Sequence, residues 1–428
     1  MGIAAVRGLQ GPQDDADAYL NNAEGVSCVV KHYLGYGHAE QGGIDGGPAT
    51  LDEQTLRERY LPPWKALADA GLLRGIMCSQ SAVNHIPMHM HKRLITDVLR
   101  NELNFANGFV HSDGGCVISC NMGVYQLAST EGEAAALSLR AGVDMDFAGC
   151  SYSHLEEEVK AGRVDVSELD RAVSNVLRVK FATGMFDRPA NVTMRSPEEL
   201  DTPAFRKIVQ ESAEQSIVLL INKKAGAEEH ALPLKTSGAG KISSMLLAGP
   251  LIDDVNSQNG GYSHGGAPTT TILAGFAAVA AGNFQLTSMF GNSNGTSLTT
   301  PPGTSLGKGN VAAHDVKAID ATVAAAAKVD VAVLVLGDSD KTCAEMGDRS
   351  SLSLMGGQQE LLRRVSLVAK KTVVVLIGGR PLTFEAGFCD AKSTSEDVDA
   401  NRAEVRLHLH HQCCFILLLC LTLLLRNR

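Results

Sequence analysis

The sequence has few aromatic residues and no block of basic residues. Phe, Trp and Tyr make up 5% of its 428 residues, and the formal net charge is −9 at pH 7. Nucleic-acid binding needs Lys and Arg to neutralise phosphates, and often needs aromatic rings that stack on bases. The composition therefore argues against a nucleic-acid partner.

Signatures of cofactor binding and of export are missing as well. The cysteines form no C-x-x-C pair, and the glycine-rich segments QGGIDGGPA and NGGYSHGG match neither a dinucleotide-binding fingerprint nor a Walker A motif. The cysteines are therefore predicted to be free, mostly buried thiols. The N-terminus has no apolar core of the kind found in secretory signal peptides, so no signal peptide is expected.

One apolar run stands near the C-terminus. The segment CCFILLLCLTLLL has 13 residues, fewer than the roughly 20 that a helix needs to cross a bilayer. We expect no membrane partner, with a tail anchor and a buried or membrane-surface helix as alternatives. The composition changes abruptly after Asp390, so residues 390–428 are predicted to be a tail unrelated to the preceding domain.

Apolar runs alternate with helical patterns along most of the chain. The predicted strands occupy residues 25–30, 72–79, 107–113, 143–147, 216–222, 241–250, 329–337 and 371–379. This alternation indicates an α/β fold whose sheets are mostly parallel. Residues 1–190 supply fewer βα units than a closed eight-stranded barrel needs, so the first sheet is either open or part of a barrel.

Two helices are marked by their spacing. The segment KRLITDVLRNEL places its aliphatic residues on one helical face. The segment 167–184 is predicted to be an amphipathic helix with Ser167 as its N-cap.

Polar residues follow several of the predicted strands. In parallel α/β proteins, ligands bind at the carboxyl ends of strands, because those ends meet at one face of the sheet. The residues that fall at such ends are Lys31, His32, Ser79, Ser112, Asp113, Asp144 and Asp146. We therefore expect the acid that ends the strand GFVHSD to face a pocket together with the others.

Two carboxylates far apart in the chain are candidates for acid and base chemistry. Asp113 ends a strand of the first half, and Glu345 lies in a long loop that follows the strand 329–337. A retaining glycosidase uses two such groups, one as nucleophile and one as acid and then base.

The histidine-rich segment HIPMHMH is a second candidate site. His85 and His89 have the i, i+4 spacing of zinc ligands on a helix, and His91 follows them. Pro87 lies between them and no clear fourth ligand follows, so a loop of surface or sugar-facing histidines is the alternative. The segment HLHH at 408–411 is equally ambiguous.

An ordered set of motifs resembles glycoside hydrolase family 3, the β-glucosidases and β-xylosidases. The set covers residues 5–389 and consists of VVKHYLGYG, LDEQTLRERYLPPWKALADAG, MCSQSAVNHIPMH, LITDVLRNELNFANGFVHSD, AGVDMDF, LDRAVSNVLRVKFATGMFDRP, SIVLLINK, AEMGDRSSLSLMGGQQELL and VVVLIGGRPL. Each motif alone is weak, and their order along the chain makes the resemblance specific.

The resemblance implies a partial TIM-like (β/α) barrel followed by an α/β sandwich with a mostly parallel sheet. The expected domains are the barrel at 1–188, a linker at 189–212, the sandwich at 213–389 and the divergent tail at 390–428. It also indicates truncation at both ends, because the family's early barrel strands and the continuation of its sandwich beyond GGRPL have no counterpart in the sequence.

The resemblance also implies an activity, the removal of terminal β-linked glucose or xylose from oligosaccharides or glycosides. The reaction retains configuration and uses no metal or cofactor. Asp113 matches the family's nucleophile, and Glu345, in the motif E-x-x-D-R, matches its acid/base. The residues that the resemblance places around the sugar are Lys31, His32, Ser112, Met77 and Gln80.

The sequence departs from the family pattern at several positions. SQS replaces the family's SYN, so that Gln80 stands at the Tyr, while His85 replaces a Gly and His111 replaces an apolar residue. A truncated, non-catalytic carbohydrate-binding remnant of the family is therefore the alternative function. Family members are commonly extracellular or secretory, and the sequence does not decide between glucoside and xyloside substrates.

Overall fold

The computed structural model describes residues 1–11, 26–37, 47–122, 125–187, 196, 199, 201–222, 230–260, 262, 269–289, 313–340, 342, 343, 350–383 and 414–419. The chain divides into two compact units, Met1–Thr193 and Met194–Arg428. It is a mixed α/β protein with mostly parallel sheets, in which a TIM-like unit precedes an α/β sandwich.

The first unit alternates strands and helices. Its strands are β1 (Val29–Tyr33), β2 (Pro48–Ala49), β3 (Gly75–Cys78), β4 (Ala82–Val83), β5 (Ile86–Pro87) and β6 (Phe109–His111). Its α-helices are α1 (Gly2–Gln10), α2 (Glu53–Thr55), α3 (Pro62–Asp69), α4 (Cys116–Met122), α5 (Glu131–Ala141), α6 (Leu155–Lys160) and α7 (Val166–Ala182). Turns of 3₁₀-helix occupy Met88–Met90 and Ser151–His154, and π-helical segments occupy Leu56–Tyr60 and Arg93–Glu102.

Within the described residues, the main sheet of this unit has the order β1-β3-β6, and both pairs are parallel. Helices connect successive strands, which is the connection that parallel pairing requires. The small strands β2, β4 and β5 form a separate sheet. The carboxyl ends of β1, β3 and β6 therefore lie at the same edge.

The segment after α5 pairs with the end of β6. Met145 bridges His111 in parallel, and the Ser112 N–H donates to the Met145 carbonyl at 3.0 Å. The N–H groups of Asp144 and Met145 both donate to the Val110 carbonyl, at 2.7 and 3.3 Å. The predicted fourth strand is thus a short bridge rather than a full strand.

The apolar face of the π-helical segment was predicted from the sequence and is confirmed. Its aliphatic side chains Leu94, Ile95, Val98 and Leu99 are all buried. Beside them, the ring of Tyr33 meets Trp64 edge-on at 5.0 Å, and its hydroxyl donates to the Leu94 carbonyl at 2.7 Å. A buried tyrosine needs such a partner, because an unpaired hydroxyl in the core costs free energy.

Helix α7 begins before the residue predicted as its N-cap. The cap is Asp165, whose carboxylate accepts from the Ser167 N–H at 2.8 Å. The Glu168 carboxylate accepts in return from the Asp165 N–H at 3.1 Å, which completes a capping box. The prediction of Ser167 as N-cap was wrong. A capping box needs a spacing of three positions between the N-cap and its glutamate partner, which Asp165 and Glu168 provide and Ser167 and Glu168 do not.

The second unit is built on one large sheet. Its strands are β7 (Ile217–Leu219), β8 (Ser244–Ala248), β9 (Gln285–Met289), β10 (Val331–Gly337), β11 (Thr372–Ile377) and β12 (Cys414–Leu419). Its helices are α8 (Pro203–Ser216), α9 (Val255–Asn259), α10 (Ile272–Ala280), α11 (Ala313–Ala326) and α12 (Gln358–Val368). Among the described strands the order is β7-β12-β11-β10-β8-β9, and every neighbouring pair except β7 with β12 is parallel.

Both faces of the central strands are buried, which explains the continuous apolar runs VDVAVLVLG and KTVVVLIGG. Alternate residues of β10 point to opposite faces. Leu334 and Leu336 pack in the cluster that contains Leu361 of α12, while Val333 and Val335 pack in the cluster that contains Ile272 of α10. The sheet is therefore the middle layer of a sandwich.

The edges of this sheet differ from the predictions. The segment around β7 was predicted to be a buried parallel strand, but β7 is antiparallel to β12 and Val218 and Leu219 are exposed. Part of the predicted tail forms β12 between β7 and β11, as a strand and not as a helix. In the described part of the chain, no helix is long and apolar enough to span a bilayer.

A buried ion pair joins three elements of the first unit beneath β6. The Asp144 carboxylate is 0% exposed and accepts from Arg100 Nη2 at 2.5 Å, from the Val110 N–H at 2.8 Å and from Asn175 Nδ2 at 3.0 Å. Burial raises the pKa of Asp144, and the Arg100 guanidinium opposes that rise. The pair links the π-helical segment, β6 and α7.

We expect Asp144→Asn to destabilise the chain strongly, because it leaves the Arg100 guanidinium buried without a carboxylate. The expected loss in the free energy of unfolding is about 3–5 kcal/mol, measured by urea unfolding. The control is Asp69→Asn, which removes an ion pair with Lys65 whose side chains are 63% and 61% exposed and which should cost less than about 1 kcal/mol. Equal losses in the two variants would contradict the role of the buried pair.

Candidate active site

Asp113 stands directly after β6, where the chain turns towards α4. Its carboxylate is 17% exposed, and its Oδ1 accepts a hydrogen bond of 2.8 Å from the Gly114 backbone N–H. Nε2 of His32 lies 3.5 Å from the other oxygen, Oδ2. The structure thus brings together a half-buried acid and an imidazole at the carboxyl end of a parallel strand.

Lys31 and His32 lie within β1, not after its end as predicted. β1 carries one residue more than β3 at this point, before the pairing resumes at Tyr33 and Cys78. Such an irregularity redirects side chains locally and is common beside active sites. It lets His32 reach Asp113 while Tyr33 remains in the core.

The two basic residues of β1 have different environments. The imidazole of His32 is half-buried and stacks on the ring of Tyr36, with centroids 4.4 Å apart and an angle of 20° between the planes. The Lys31 side chain is exposed. Its positive charge lowers the pKa of His111, in the same direction as the larger effect of burial.

Ser112 is fully buried, and its hydroxyl is bonded inside the protein. Its Oγ accepts from the Phe147 N–H at 2.8 Å and donates to Asp146 Oδ1 at 3.3 Å. The other carboxylate oxygen of Asp146 accepts from the Ser151 N–H at 2.7 Å. The side chain of Ser112 is therefore occupied and inaccessible, and it fixes the chain immediately before Asp113.

Met77 and Gln80 belong to the neighbouring strand and the turn after it. Met77, in β3, pairs in register with His111 of β6 and is half-buried. The backbone carbonyl of Gln80 accepts from the Tyr125 hydroxyl. The side-chain Oε1 of Gln80 is buried and has no hydrogen-bond partner among the residues that the structure describes.

Like Ser112, whose buried hydroxyl is bonded inside the protein, two further predicted strand-end residues do not face a pocket. Ser79 is fully buried, with its Oγ donating to the Leu34 carbonyl at 2.6 Å, and Asp144 is held in the ion pair with Arg100. The prediction for these two residues was wrong, because each of them satisfies backbone or cationic groups within the core.

Glu345 lies outside the described residues. Asp338 directly follows β10 and precedes Glu345 in the chain. Its Oδ1 accepts a hydrogen bond of 3.2 Å from the Thr342 hydroxyl. Nε of Arg380, which follows β11, lies 3.6 Å from Asp338 Oδ2. The carboxyl ends of β10 and β11 are thus joined by a buried acid and an arginine.

The segment HIPMHMH does not form the helix that zinc ligands would need. His85 is exposed, whereas His89, in the middle of the turn Met88–Met90, and His91, directly after it, are both buried. Nε2 of His89 lies 2.9 Å from the sulfur of Cys120. The described ranges contain no group of three or more His, Cys, Asp or Glu side chains that could hold a metal ion, and the segment HLHH lies outside them.

Two aromatic side chains near Asp113 were not predicted to border the site. Tyr36 stacks on His32, and the ring of Phe147, which is 51% exposed, lies beside Gly114. The sequence did carry a signal for both residues. Tyr36 follows His32 by four positions, and Phe147 directly follows Asp146.

The fold and this arrangement define a class of protein. The described strands are mostly parallel, and a half-buried carboxylate with an imidazole beside it stands at a strand end. This is the place at which α/β enzymes assemble their active sites.

The comparison with protein families agrees with this class. Residues 1–179 match the glycosyl hydrolase family 3 N-terminal domain, and residues 217–400 match the glycosyl hydrolase family 3 C-terminal domain. The two matches follow one another along the chain and together take up most of it. The chain belongs to glycosyl hydrolase family 3.

Curated relatives match most of this chain. A β-xylosidase of Formosa agariphila is 31% identical over 90% of this chain and 51% of its own length. A periplasmic β-glucosidase of Salmonella typhimurium is 31% identical over 90% of this chain and 49% of its own length. A lysosomal β-glucosidase of Dictyostelium discoideum is 31% identical over 89% of this chain and 45% of its own length. The chain thus spans about half the length of these relatives.

Solved structures likewise match most of this chain over about half of their own length. A β-glucosidase from Erythrobacter marinus superposes with a TM-score of 0.76 at 31% identity, over 89% of this chain and 50% of that chain. A β-glucosidase from Listeria innocua in complex with glucose superposes with a TM-score of 0.74 at 28% identity, over 98% of this chain and 50% of that chain.

Acid sensitivity follows from two buried histidines. Burial lowers the pKa of both His89 and His91 from 6.5 to about 4. Between these values the unfolded chain takes up protons that the folded chain does not bind. We therefore expect the free energy of unfolding to fall as the pH drops from 6.5 towards 4, measured by urea unfolding at a series of pH values.

The matched variants are His89→Gln and His154→Gln. Replacing the buried His89 should flatten the decline in the free energy of unfolding with acidification, because one proton-binding difference is removed. Replacing His154, whose side chain is 43% exposed, should leave the slope unchanged. A slope that is the same in both variants would show that the loss arises elsewhere.

Proposed function

We propose that this chain carries the active site of a retaining β-glycoside hydrolase, with Asp113 as nucleophile and Glu345 as acid/base. The observation that carries the proposal is the Asp113 carboxylate, half-buried at the end of β6 and 3.5 Å from His32 in a chain of glycosyl hydrolase family 3. The relatives named β-xylosidase and β-glucosidase support a β-linked xylose or glucose as the sugar.

In the first step, a carboxylate oxygen of Asp113 attacks the anomeric carbon as the bond to the leaving oxygen breaks. Glu345 gives its proton to that oxygen, and the sugar remains as an ester on Asp113. In the second step, Glu345 takes a proton from water, whose oxygen attacks the anomeric carbon and releases Asp113. Two inversions give retention, and neither step needs a metal or a redox cofactor.

The contacts of Asp113 suit a nucleophile. Its Oδ1 accepts from the Gly114 N–H at 2.8 Å, which fixes the carboxylate plane. Its Oδ2 lies beside the His32 imidazole. A group held in this way is presented to the anomeric carbon with little loss of freedom at the moment of attack.

The residues around Asp113 have separate roles in the proposal. Lys31, which is exposed, and His32, which is half-buried, donate hydrogen bonds to sugar hydroxyls. Gln80 offers its buried Oε1 as an acceptor, and Met77 borders the sugar with its half-buried side chain. Ser112 contacts no sugar and holds the chain before Asp113, because its hydroxyl is bonded to the Phe147 N–H.

The location of the protein follows by analogy with named relatives. One relative is a periplasmic enzyme of Salmonella typhimurium and another is a lysosomal enzyme of Dictyostelium discoideum. We accordingly place the activity outside the cell or in a secretory or lytic compartment, where β-linked oligosaccharides or glycosides are the partners.

Replacing Asp113 by Asn tests the nucleophile. The amide cannot form the glycosyl ester, so we expect kcat on aryl β-glucoside and aryl β-xyloside to fall by at least about 10³-fold. Both substrates are assayed side by side with the full chain, and the ratio of their kcat/KM values reports which sugar is preferred.

The matched control is Asp69→Asn, on the exposed face of α3, which should keep full activity. Hydrolysis that persists in Asp113→Asn would remove Asp113 from its role. Binding of β-glycosides without hydrolysis by the unaltered chain would instead favour a carbohydrate-binding protein.

Replacing Glu345 by Gln tests the acid. Alkyl β-glycosides need a proton on the leaving oxygen, so we expect their kcat/KM to fall by about 10²–10⁴-fold. Dinitrophenyl β-glycosides release a stable phenolate, and their kcat/KM should fall much less.

Glu360→Gln is the control for this substitution, since Glu360 pairs with Arg363 on the surface of α12 and should affect neither substrate. An equal loss of kcat/KM on alkyl and dinitrophenyl glycosides after Glu345→Gln would contradict the assignment of Glu345 as acid.

A further inference from the structure

His111 makes a hydrogen bond to the peptide that leads into Asp113. Its Nδ1 lies 2.6 Å from the carbonyl oxygen of Ser112, and the residue is 7% exposed. His111 is the last residue of β6, so the bond spans the point at which the strand ends.

The partner of Nδ1 fixes the tautomer of the imidazole. A carbonyl oxygen can only accept a hydrogen bond, so Nδ1 of His111 carries the proton and donates it. Burial also lowers the pKa of His111, which favours the neutral ring. The neutral ring is therefore protonated at Nδ1 and unprotonated at Nε2.

The surroundings of His111 hold the ring in place. The ring centroid of Phe109, on the same strand, lies 5.9 Å from the centroid of the imidazole. The Phe147 ring meets the imidazole edge-on, with centroids 5.8 Å apart. The charged groups that act on the ring are Asp113, which raises the pKa of His111, and Lys31, which lowers it. The imidazole thus lies against two aromatic rings, with its Nδ1 facing the Ser112 carbonyl oxygen.

Ser112 is bound at every polar group that it has. Its N–H donates to the Met145 carbonyl, its hydroxyl is bonded to the Phe147 N–H and to Asp146, and its carbonyl accepts from His111. The bond from His111 is the one that acts on the peptide unit shared with Asp113. That unit is planar and includes the Cα of Asp113, so holding its oxygen orients the nucleophile's backbone.

We propose that His111 is a positioning residue for Asp113, acting through the hydrogen bond from its Nδ1 to the Ser112 carbonyl oxygen. The inference rests on the proposed function, because it names what holds the nucleophile of that reaction. His111 does not contact the sugar in this role. The sequence could show only that a histidine stands before Ser112, whereas the structure gives it a partner.

The first test reads the bond directly and needs no activity. In ¹⁵N NMR spectra of the full chain, the neutral His111 ring should show the Nδ1-protonated tautomer, its signals being assigned by their loss in His111→Asn. An Nε2-protonated tautomer would overturn the inference, since Nδ1 would then have no proton to donate.

The second test separates the bond from the ring. His111→Asn keeps an N–H donor near the position of Nδ1 and removes the ring, whereas His111→Phe keeps a ring between Phe109 and Phe147 and removes the donor. The probe is 2-deoxy-2-fluoro-β-glucosyl fluoride, which loses fluoride as Asp113 forms the glycosyl ester. This step reports the attack of Asp113 without the need for a proton donor.

We expect the rate constant of inactivation to fall by about tenfold or more in His111→Phe and to stay within about threefold in His111→Asn, with similar inhibitor affinity in both. Thermal unfolding of each variant reports its folding. The reverse order, or equal rates in both variants and the unaltered chain, would overturn the inference alone. Failure of the unaltered chain to be labelled at Asp113 would contradict the proposed function, whereas an Nε2-protonated His111 would overturn the inference whatever the result of labelling.

Discussion

Hydrogen bonds between the chain at 110–115 and the chain at 144–147 determine where the first unit places a carboxylate. The Val110 carbonyl accepts two N–H groups from the second segment, and the Ser112 N–H and hydroxyl bond to that segment in turn. The Gly115 N–H then donates to the Phe147 carbonyl at 3.0 Å. β6 thus ends in a turn that is bonded on both sides of Asp113, and the acid has a defined position in a region where strands usually give way to variable loops.

The sequence predicted the parts of this fold that depend on local pattern. The aliphatic face of KRLITDVLRNEL and the apolar runs of β10 and β11 follow from spacing alone, because burial on one face or on two leaves a recognisable period. Asp113 was identified as a strand-end acid for the same reason. Its position relative to His32 required the irregular pairing of β1 with β3, for which the sequence carries no signal.

The errors have a common physical origin in contacts between distant residues. Asp144 looks like a strand-end acid in the sequence, but its partners Arg100 and Asn175 lie 44 and 31 residues away. An acid that is paired in the core and an acid that faces a pocket have the same local sequence. Likewise, β7 finds its antiparallel partner β12 far along the chain, and strand direction at a sheet edge cannot be read from composition.

The extra residue of β1 ties the core of the first unit to its chemistry. Tyr33 packs against Trp64 in the interior, while His32, immediately before it, reaches Asp113. Because successive side chains of a strand point to opposite faces, losing one residue here would exchange the faces of these two side chains. A substitution that repacks Tyr33 and a substitution that moves His32 therefore act on the same short stretch of β1, so the packing of this unit and the surroundings of Asp113 are mechanically coupled.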